Sequence, residues 1–258
     1  MKTVLVTGSQ GFIGKNLVEA LSRQDGIKTT GLNAADNIST LESLLEDVDI
    51  IYHLAGVNRP EKLEEFTIVN TGLTQTIVSI LSAKHKTPII VMSSSTQAEL
   101  DNPYGISKKD AEDILIDYGK RTGVPVYIYR LTNVFGKWCR PNYNSVVATF
   151  CHNIAHGLDI TISDRNKVLE LVYIDDVVNS FLNIIDNNEK PAVPYVTIRR
   201  TYKITLGELA DNIYKFRDMG KTLNITDISD DFMKCLYTTY LSYLDVKDKY
   251  CEAEYAQT

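Results

Sequence analysis

The sequence has no apolar run approaching the roughly 20 residues of a membrane-spanning helix. Its first apolar run, Val4-Leu5-Val6, is broken at once by Thr7-Gly8, too soon for the core of a signal peptide. Positive charge is not in excess. Lys and Arg number 27 against 33 Asp and Glu, a formal net charge of −6, so no broad nucleic-acid surface is expected. Cysteine is sparse: Cys139, Cys151, Cys235 and Cys251 lie far apart and form no Cys-x-x-Cys. They are read as reduced thiols of a cytoplasmic protein. Repeats, low-complexity tracts and an obvious flexible linker are also missing.

What is present is ordinary for a soluble globular protein. With 44% hydrophobic and 23% charged residues, 258 positions suffice for one large domain or a domain with a smaller lobe. Apolar strand-like runs at Lys2–Val6, Asp49–Ala55, Pro88–Met92 and Pro125–Arg130, with a weaker strand pattern at Ile27–Leu32, alternate with helical patterns. The helical patterns cover Phe12–Arg23, Leu41–Leu45, Thr67–Lys84 and Tyr104–Lys120. Such alternation predicts an α/β fold, a doubly wound parallel sheet of Rossmann type. After Gly136 the alternation weakens: a polar loop at 137–144, a helix at Ser145–His156, a strand at Leu169–Ile174 and a helix at Asp176–Ile185. Residues 1–136 are therefore expected to form the dinucleotide-binding domain, with 171–187 returning to it. Residues 137–258 are expected to form mainly a substrate-binding lobe.

Gly8-x-x-Gly11-x-x-Gly14 follows the first strand and opens the first helix, the context in which such a motif binds a dinucleotide. Gly8 permits the turn, Gly11 the approach of pyrophosphate, and Gly14 the packing of helix on strand. The helix N-terminus supplies N–H groups and partial positive charge. At the end of the second strand an acidic residue selects NAD and an arginine favours NADP. Here stand Asn33 and then Asp36, and neither pattern is clean. Lys15 and Arg23 are candidates for a 2′-phosphate contact, or simply solvated helix charges. The balance is taken to favour NADP(H) over NAD(H).

Ser93-Ser94-Ser95 ends a strand, and Tyr104-x-x-x-Lys108 follows on a helix. Residues four apart share a helix face. A nearby ammonium lowers a phenol's pKa from about 10. Ser95 is placed to bond a substrate oxygen, and Tyr104 to protonate an alkoxide as hydride reaches the carbonyl carbon.

These motifs, with His53-Leu54-Ala55-Gly56, Arg130-x-x-Asn133-Val134-Phe135-Gly136, Val172-Tyr173-Ile174-Asp175-Asp176-Val177 and Thr205-Leu206-Gly207-Glu208, resemble the extended short-chain dehydrogenase/reductases. The resemblance covers nearly the whole chain. It implies Ser95, Tyr104 and Lys108 as catalytic residues. It further implies cofactor contacts at Gly8, Gln10, Gly11, Phe12, Ile13, Asn33, Leu54, Ala55, Gly56 and Lys108, and places Asn133 near substrate. Val57-Asn58-Arg59-Pro60, Asp101-Asn102-Pro103, Lys137-Trp138-Cys139, Arg140-Pro141-Asn142-Tyr143-Asn144-Ser145 and Tyr240-Leu241-Ser242-Tyr243-Leu244 look like one subgroup. That subgroup is the capsular-polysaccharide UDP-4-keto-6-deoxy-hexosamine reductases. The likeness implies NAD(P)H reduction of the C4 ketone of a UDP-linked keto-sugar, on the route to UDP-N-acetyl-L-fucosamine. Members continue into a cupin domain that epimerises the sugar. This sequence is expected to be either a fragment of such a protein or a stand-alone reductase domain, with a separate cupin epimerase as partner in the second case. A homodimer is expected, and neither nucleic acid nor membrane. Two other readings stand beside it: an epimerase or dehydratase holding NAD tightly, and a non-catalytic dinucleotide-binding protein. Thr96-Gln97 after Ser95 departs from the acidic pair of the dehydratases, and Gln97-Ala98-Glu99 from the pattern of the epimerases.

A diphosphate needs local positive charge. Candidates are Arg59, Lys137, Arg140, Arg165, Lys167, Arg199 and Arg200, each equally readable as a solvated charge. Arg140 is favoured, because Tyr143 and Asn144 beside it can read a sugar or uracil. Trp138 is either a stacking platform or a packing residue. His152 and His156 lack a third ligand at sensible spacing, so no metal is expected. Asp175-Asp176 reads as a helix cap, and His53 as a structural strand-end residue.

Overall fold

The computed structural model describes residues 1–186, 191–222 and 226–245. Cys251 lies outside them. In chain order the elements begin with β1 (Lys2–Thr7), α1 (Phe12–Leu21), β2 (Ile27–Leu32), α2 (Ile38–Leu44) and β3 (Ile50–His53). A π-helical stretch, Phe66–Gly72, runs straight into α3 (Leu73–Ala83). Then come β4 (Ile89–Ser95), a 3₁₀ turn (Thr96–Glu99), α4 (Pro103–Thr122), β5 (Val126–Leu131), β6 (Asn133–Phe135) and α5 (Val146–Ala155). The described elements close with β7 (Val168–Tyr173), α6 (Ile174–Leu182), β8 (Tyr195–Val196), β9 (Tyr202–Thr205), α7 (Leu206–Thr222) and α8 (Asp231–Leu241).

They form two compact units. The first comprises Met1–Thr132 and Ile174–Arg200; the second comprises Asn133–Tyr173 and the described residues from Thr201 onward. The first unit is a parallel sheet in the order β2-β1-β3-β4-β5-β8. Its inner strands β1, β3 and β5 read as near-continuous apolar runs because both faces are covered, whereas the edge strand β2 is largely polar. Leu5, Ile51, Ile90 and Ile128 meet Ile77 and Leu81 of α3 and Ala111, Leu115 and Tyr118 of α4 in one core. Tyr52 and Tyr129 donate their hydroxyls to the carbonyls of Phe181 and Ser180 in α6, so these buried tyrosines are satisfied.

This is the expected Rossmann-type sheet with one difference. Dinucleotide-binding sheets commonly run 3-2-1-4-5-6. Among the described residues no strand lies outside β2, since the short connection from 33 to 49 holds only α2. The order still reverses between β1 and β3, so the crevice at their carboxyl ends is kept. The helix expected over Thr67–Lys84 is found one residue earlier. Phe66 to Ala83 is 18 residues of continuous helix, long and apolar enough by composition alone to cross a membrane. In this fold its Ile77, Val78 and Leu81 lie in the core of the sheet.

In the second unit β6, β7 and β9 form a small mixed sheet, with β6 parallel and β9 antiparallel to β7. The buried Phe135 ring packs on Tyr173, Tyr202 and Phe232. Asp175 and Asp176 lie in the first turn of α6, where the helix dipole favours negative charge.

Candidate active site

The glycine turn is fixed by close approach. Gly8 has φ +69, and a Cβ there would sit 2.9 Å from the Ala55 backbone. A Cβ on Gly14 would fall 2.1 Å from the Gly8 carbonyl oxygen. Gly11 N–H closes the turn on the Gly8 carbonyl at 2.9 Å. Gly11 caps α1 without a side chain, so the N–H groups of Phe12 and Ile13 open the helix with no side-chain acceptor. Such an uncapped N-terminus beside a glycine turn fits a pyrophosphate. Asn33 ties β2 to this turn: its Oδ1 accepts from Ser9 Oγ at 2.8 Å and from Gln10 N at 3.1 Å. The Asp36 carboxylate is turned back onto the Asn33 N–H at 2.7 Å.

Tyr104 is held by the start of α4. Asn102 caps the helix by accepting from Gly105 N at 2.8 Å, with Pro103 in the first turn. A Cβ at Gly105 would lie 2.2 Å from the Gln97 carbonyl oxygen, so only glycine lets α4 dock on the 3₁₀ turn. Ser95 Oγ accepts from Gln97 N at 3.1 Å, and its remaining polarity is directed to Tyr104, to which it is hydrogen-bonded. Burial raises the Tyr104 phenol above its ordinary value, and the Ser95 bond opposes this. The predicted phenol–ammonium coupling takes a different form. Lys108 Nζ donates to the Ser93 carbonyl at 2.8 Å. Burial pulls Lys108 down to about 8, and the Glu112 carboxylate pushes it up.

Behind these groups runs an oriented chain of hydrogen bonds. Thr74 Oγ1 gives its only proton to the Asn70 carbonyl at 2.8 Å and so accepts from His53 Nε2 at 2.8 Å. This leaves Nδ1 of the neutral ring to accept from Thr7 Oγ1 at 2.9 Å, while Thr7 Oγ1 accepts from Ala55 N at 3.1 Å. The Asn70 side chain pairs with both backbone groups of Val57 and donates to Ser107 Oγ at 3.0 Å. Burial, with help from the Lys108 charge, lowers His53 to about 3.

That shift has a thermodynamic signature. The unfolded chain binds a proton at His53 below about pH 6.5 and the folded chain does not, so stability falls as pH falls from there toward 3. The expected slope is about 1.4 kcal/mol per pH unit. Urea unfolding of the wild type and of His53→Gln between pH 7 and 4.5 checks it. The variant should lose that component of the slope; an identical slope in both would refute the assignment.

The predicted catalytic and cofactor residues of the first unit thus converge. Gly8, Gln10, Gly11, Phe12 and Ile13 form the turn, Leu54 and Ala55 abut Gly8, and a Cβ at Gly56 would lie 3.7 Å from Lys108 Nζ. The predicted substrate residues lie in the second unit. Asn133 Nδ2 donates to the Glu170 carbonyl at 3.1 Å. The Arg140 guanidinium lies over the Tyr143 ring at 5.1 Å. Trp138 and Asn142 both adopt positive φ, and Trp138 is half exposed. Tyr243 donates to the Cys139 carbonyl at 2.5 Å, pinning this loop. Arg165 is engaged by Asp211 at 2.6 Å. His152 and His156 stack at 4.3 Å, with His156 Nδ1 on the His152 carbonyl.

Sequence reasoning missed Glu112 and Asn70. Glu112 had a readable signal, since it continues the spacing of Tyr104 and Lys108 by one more turn. Asn70 had none beyond its place in an apolar helix.

Known proteins match this architecture. The chain is 45% identical over 241 residues to UDP-2-acetamido-2,6-beta-L-arabino-hexul-4-ose reductase of Pseudomonas aeruginosa, covering 93% of this chain and 64% of that protein. The structure superposes on the capsular polysaccharide assembling protein CapF of Staphylococcus aureus with a TM-score of 0.85 and 42% identity, over 95% of this chain and 66% of that one. This chain therefore spans about two thirds of the length of either. UDP-glucuronic acid 4-epimerase of Bacillus cereus, at 18% identity and a TM-score of 0.78, shares the fold. The resemblance read from the motifs is borne out, and residues 4–197 match a single family. The chain belongs to the NAD dependent epimerase/dehydratase family.

Proposed function

We propose that this protein reduces the C4 ketone of a UDP-4-keto-6-deoxy-N-acetylhexosamine with NAD(P)H, in the synthesis of a polysaccharide precursor. The carrying observation is the meeting of Ser95, Tyr104 and Lys108 beside an uncapped glycine turn. The 45% identity to a UDP-hexulose reductase supports the choice of substrate.

The turn residues Gly8 to Ile13 would hold the dinucleotide, with Asn33, Leu54, Ala55 and Gly56 around it. A bound reduced nicotinamide supplies the hydride. Ser95 orients the ketone oxygen, and Tyr104 donates its proton to that oxygen as negative charge develops. Burial keeps the phenol protonated across the working range, which suits an acid in ketone reduction. Lys108, an ammonium below about pH 8, stands ready for the nicotinamide ribose. NADP(H) is favoured over NAD(H) because Asn33 is uncharged and the Asp36 carboxylate is engaged on a backbone N–H. Asn33 itself therefore sets no charge against a 2′-phosphate.

Asn133, Arg140, Tyr143 and Asn144 are the substrate-side candidates. The same reading takes a cytoplasmic homodimer, with a cupin epimerase activity acting first on the sugar. Ile68 and Ile106, at 67% and 47% exposure, are apolar surface that such a dimer would cover.

The test mixes the purified protein with NADPH, or NADH, and freshly made UDP-4-keto-6-deoxy-N-acetylhexosamine. Stoichiometric loss of reduced-nicotinamide absorbance is expected, faster with NADPH. No oxidation with either the substrate or its C3 epimer, despite cofactor binding, refutes the reductase reading. A faster reaction with NADH overturns the cofactor preference alone.

A further inference from the structure

Tyr104, Lys108 and Glu112 repeat at four-residue spacing along one face of α4, against the three serines that end β4. The contacts interlock. Ser93 takes Lys108 Nζ on its carbonyl at 2.8 Å, Ser94 Oγ donates to Glu112 Oε1 at 2.5 Å, and Ser95 meets Tyr104. Glu112 is fully buried. Arg130 from β5 grips it with Nη2 at 2.6 Å and Nε at 3.0 Å, and Tyr195 from β8 donates to it at 3.2 Å. The field of Glu112 also reaches Lys109. Arg130 spends Nη1 on Glu99 at 2.7 Å. Lys108 is itself buried, facing the Ser93 carbonyl, the backbone at Gly56, the neutral His53 and Glu112.

A buried carboxylate is a poor device for stability alone, since well-packed apolar groups do as well or better. Its place one turn beyond a buried lysine gives it another use. We propose that Glu112, fixed by Arg130, Ser94 and Tyr195, is a positioning residue that keeps Lys108 in its ammonium form. Glu112 touches neither the reacting atoms nor the cofactor residues and acts only through Lys108. Without its charge, desolvation acts on Lys108 unopposed, and the ammonium is lost at lower pH. The electrostatic part of the inference stands on the apo protein. Only its consequence for turnover rests on the proposed reductase activity.

The experiment is a titration of the Lys108 ¹³Cε resonance in lysine-labelled protein, assigned by its disappearance in Lys108→Met. The wild-type midpoint is expected near 8. Glu112→Gln should lower it by about one pH unit, and Glu112→Asp should restore most of the shift. If Glu112→Gln fails to fold, the double variant Glu112→Leu/Arg130→Met, which removes both charges of the pair, should still lower the midpoint, by less than Glu112→Gln because the Arg130 cation is lost with it. An unchanged midpoint in the folded charge-neutral variant, or equal shifts in Gln and Asp, overturns the proposal. In the ketone assay Glu112→Gln should lose about fivefold in kcat at pH 8 and almost nothing at pH 6, the effect of moving a required ammonium by about one unit. A loss uniform in pH marks a purely structural role and also overturns it. A protein inactive on every keto-sugar refutes the reductase reading, while the titration still decides the role of Glu112.

Discussion

Replacing Tyr104 by phenylalanine should lower kcat for ketone reduction by about a thousandfold, the range set by loss of a general acid. The substitution removes one hydroxyl and little else. The ring still packs on Phe66, whose centroid lies 5.7 Å away. Asn102 and Pro103 still start α4, and Gly105 still docks it on the 3₁₀ turn. Dinucleotide affinity should therefore change by less than about threefold, because no turn residue is touched. Stopped-flow single turnovers with saturating cofactor check the first number, and fluorescence titration of the dinucleotide checks the second. Undiminished turnover would remove Tyr104 from the chemistry. Equal losses in turnover and cofactor binding would mean that the phenol mainly organises the site.

Arg130→Ala should be the most destabilising single change at this site, by about 3–5 kcal/mol. The Glu112 carboxylate is fully buried and relies on Arg130 for its only bidentate partner. Truncating the arginine leaves that charge with Ser94 and Tyr195 alone. It also removes the guanidinium stacked 4.4 Å over the Tyr195 ring. A fall in Tm on the order of 10 °C is expected for a chain of this size. Arg165→Ala provides the contrast. Its bond to Asp211 is as short, 2.6 Å, but both side chains are more than half exposed. Solvent screening should keep its cost within about 1 kcal/mol. Thermal unfolding of the two variants side by side decides between burial and distance as the governing quantity. Equal losses would refute the argument from burial.

The contrast between these arginines also marks where sequence reading ended. The glycine turn, the end of β3 and the Tyr104–Lys108 spacing were legible because each is a local pattern. Positive φ at Gly8 and a shared helix face follow from residues near one another in the chain. The parallel sheet was legible because its buried strands are continuous apolar runs. β8 was not, since two residues carry no periodicity and its pairing with β5 is set across the chain. The missing strand outside β2 was illegible for the same reason. The direction of Lys108 Nζ toward Ser93, rather than toward the phenol, depends on how far α4 slides along β4. No spacing rule states that. The Arg130–Glu112–Ser94 contact joins three elements, and only Glu112 leaves a trace in the helix pattern.

Pairing of β5 with β8 also dictates an order of events during synthesis. Ile128 donates its N–H to the Pro194 carbonyl, and Tyr129 pairs with Val196. The intervening chain builds β6, α5 and β7, which belong to the other unit. On the ribosome the first five strands emerge well before β8, and at about 5–20 residues per second the wait is several seconds. Through that interval β5 is an open sheet edge, and the Glu112–Arg130 pair lacks the Tyr195 ring. A nascent chain stalled just short of Pro194 would present that edge for pairing with another copy. Chaperone demand should accordingly peak in this window and fall once Val196 clears the exit tunnel.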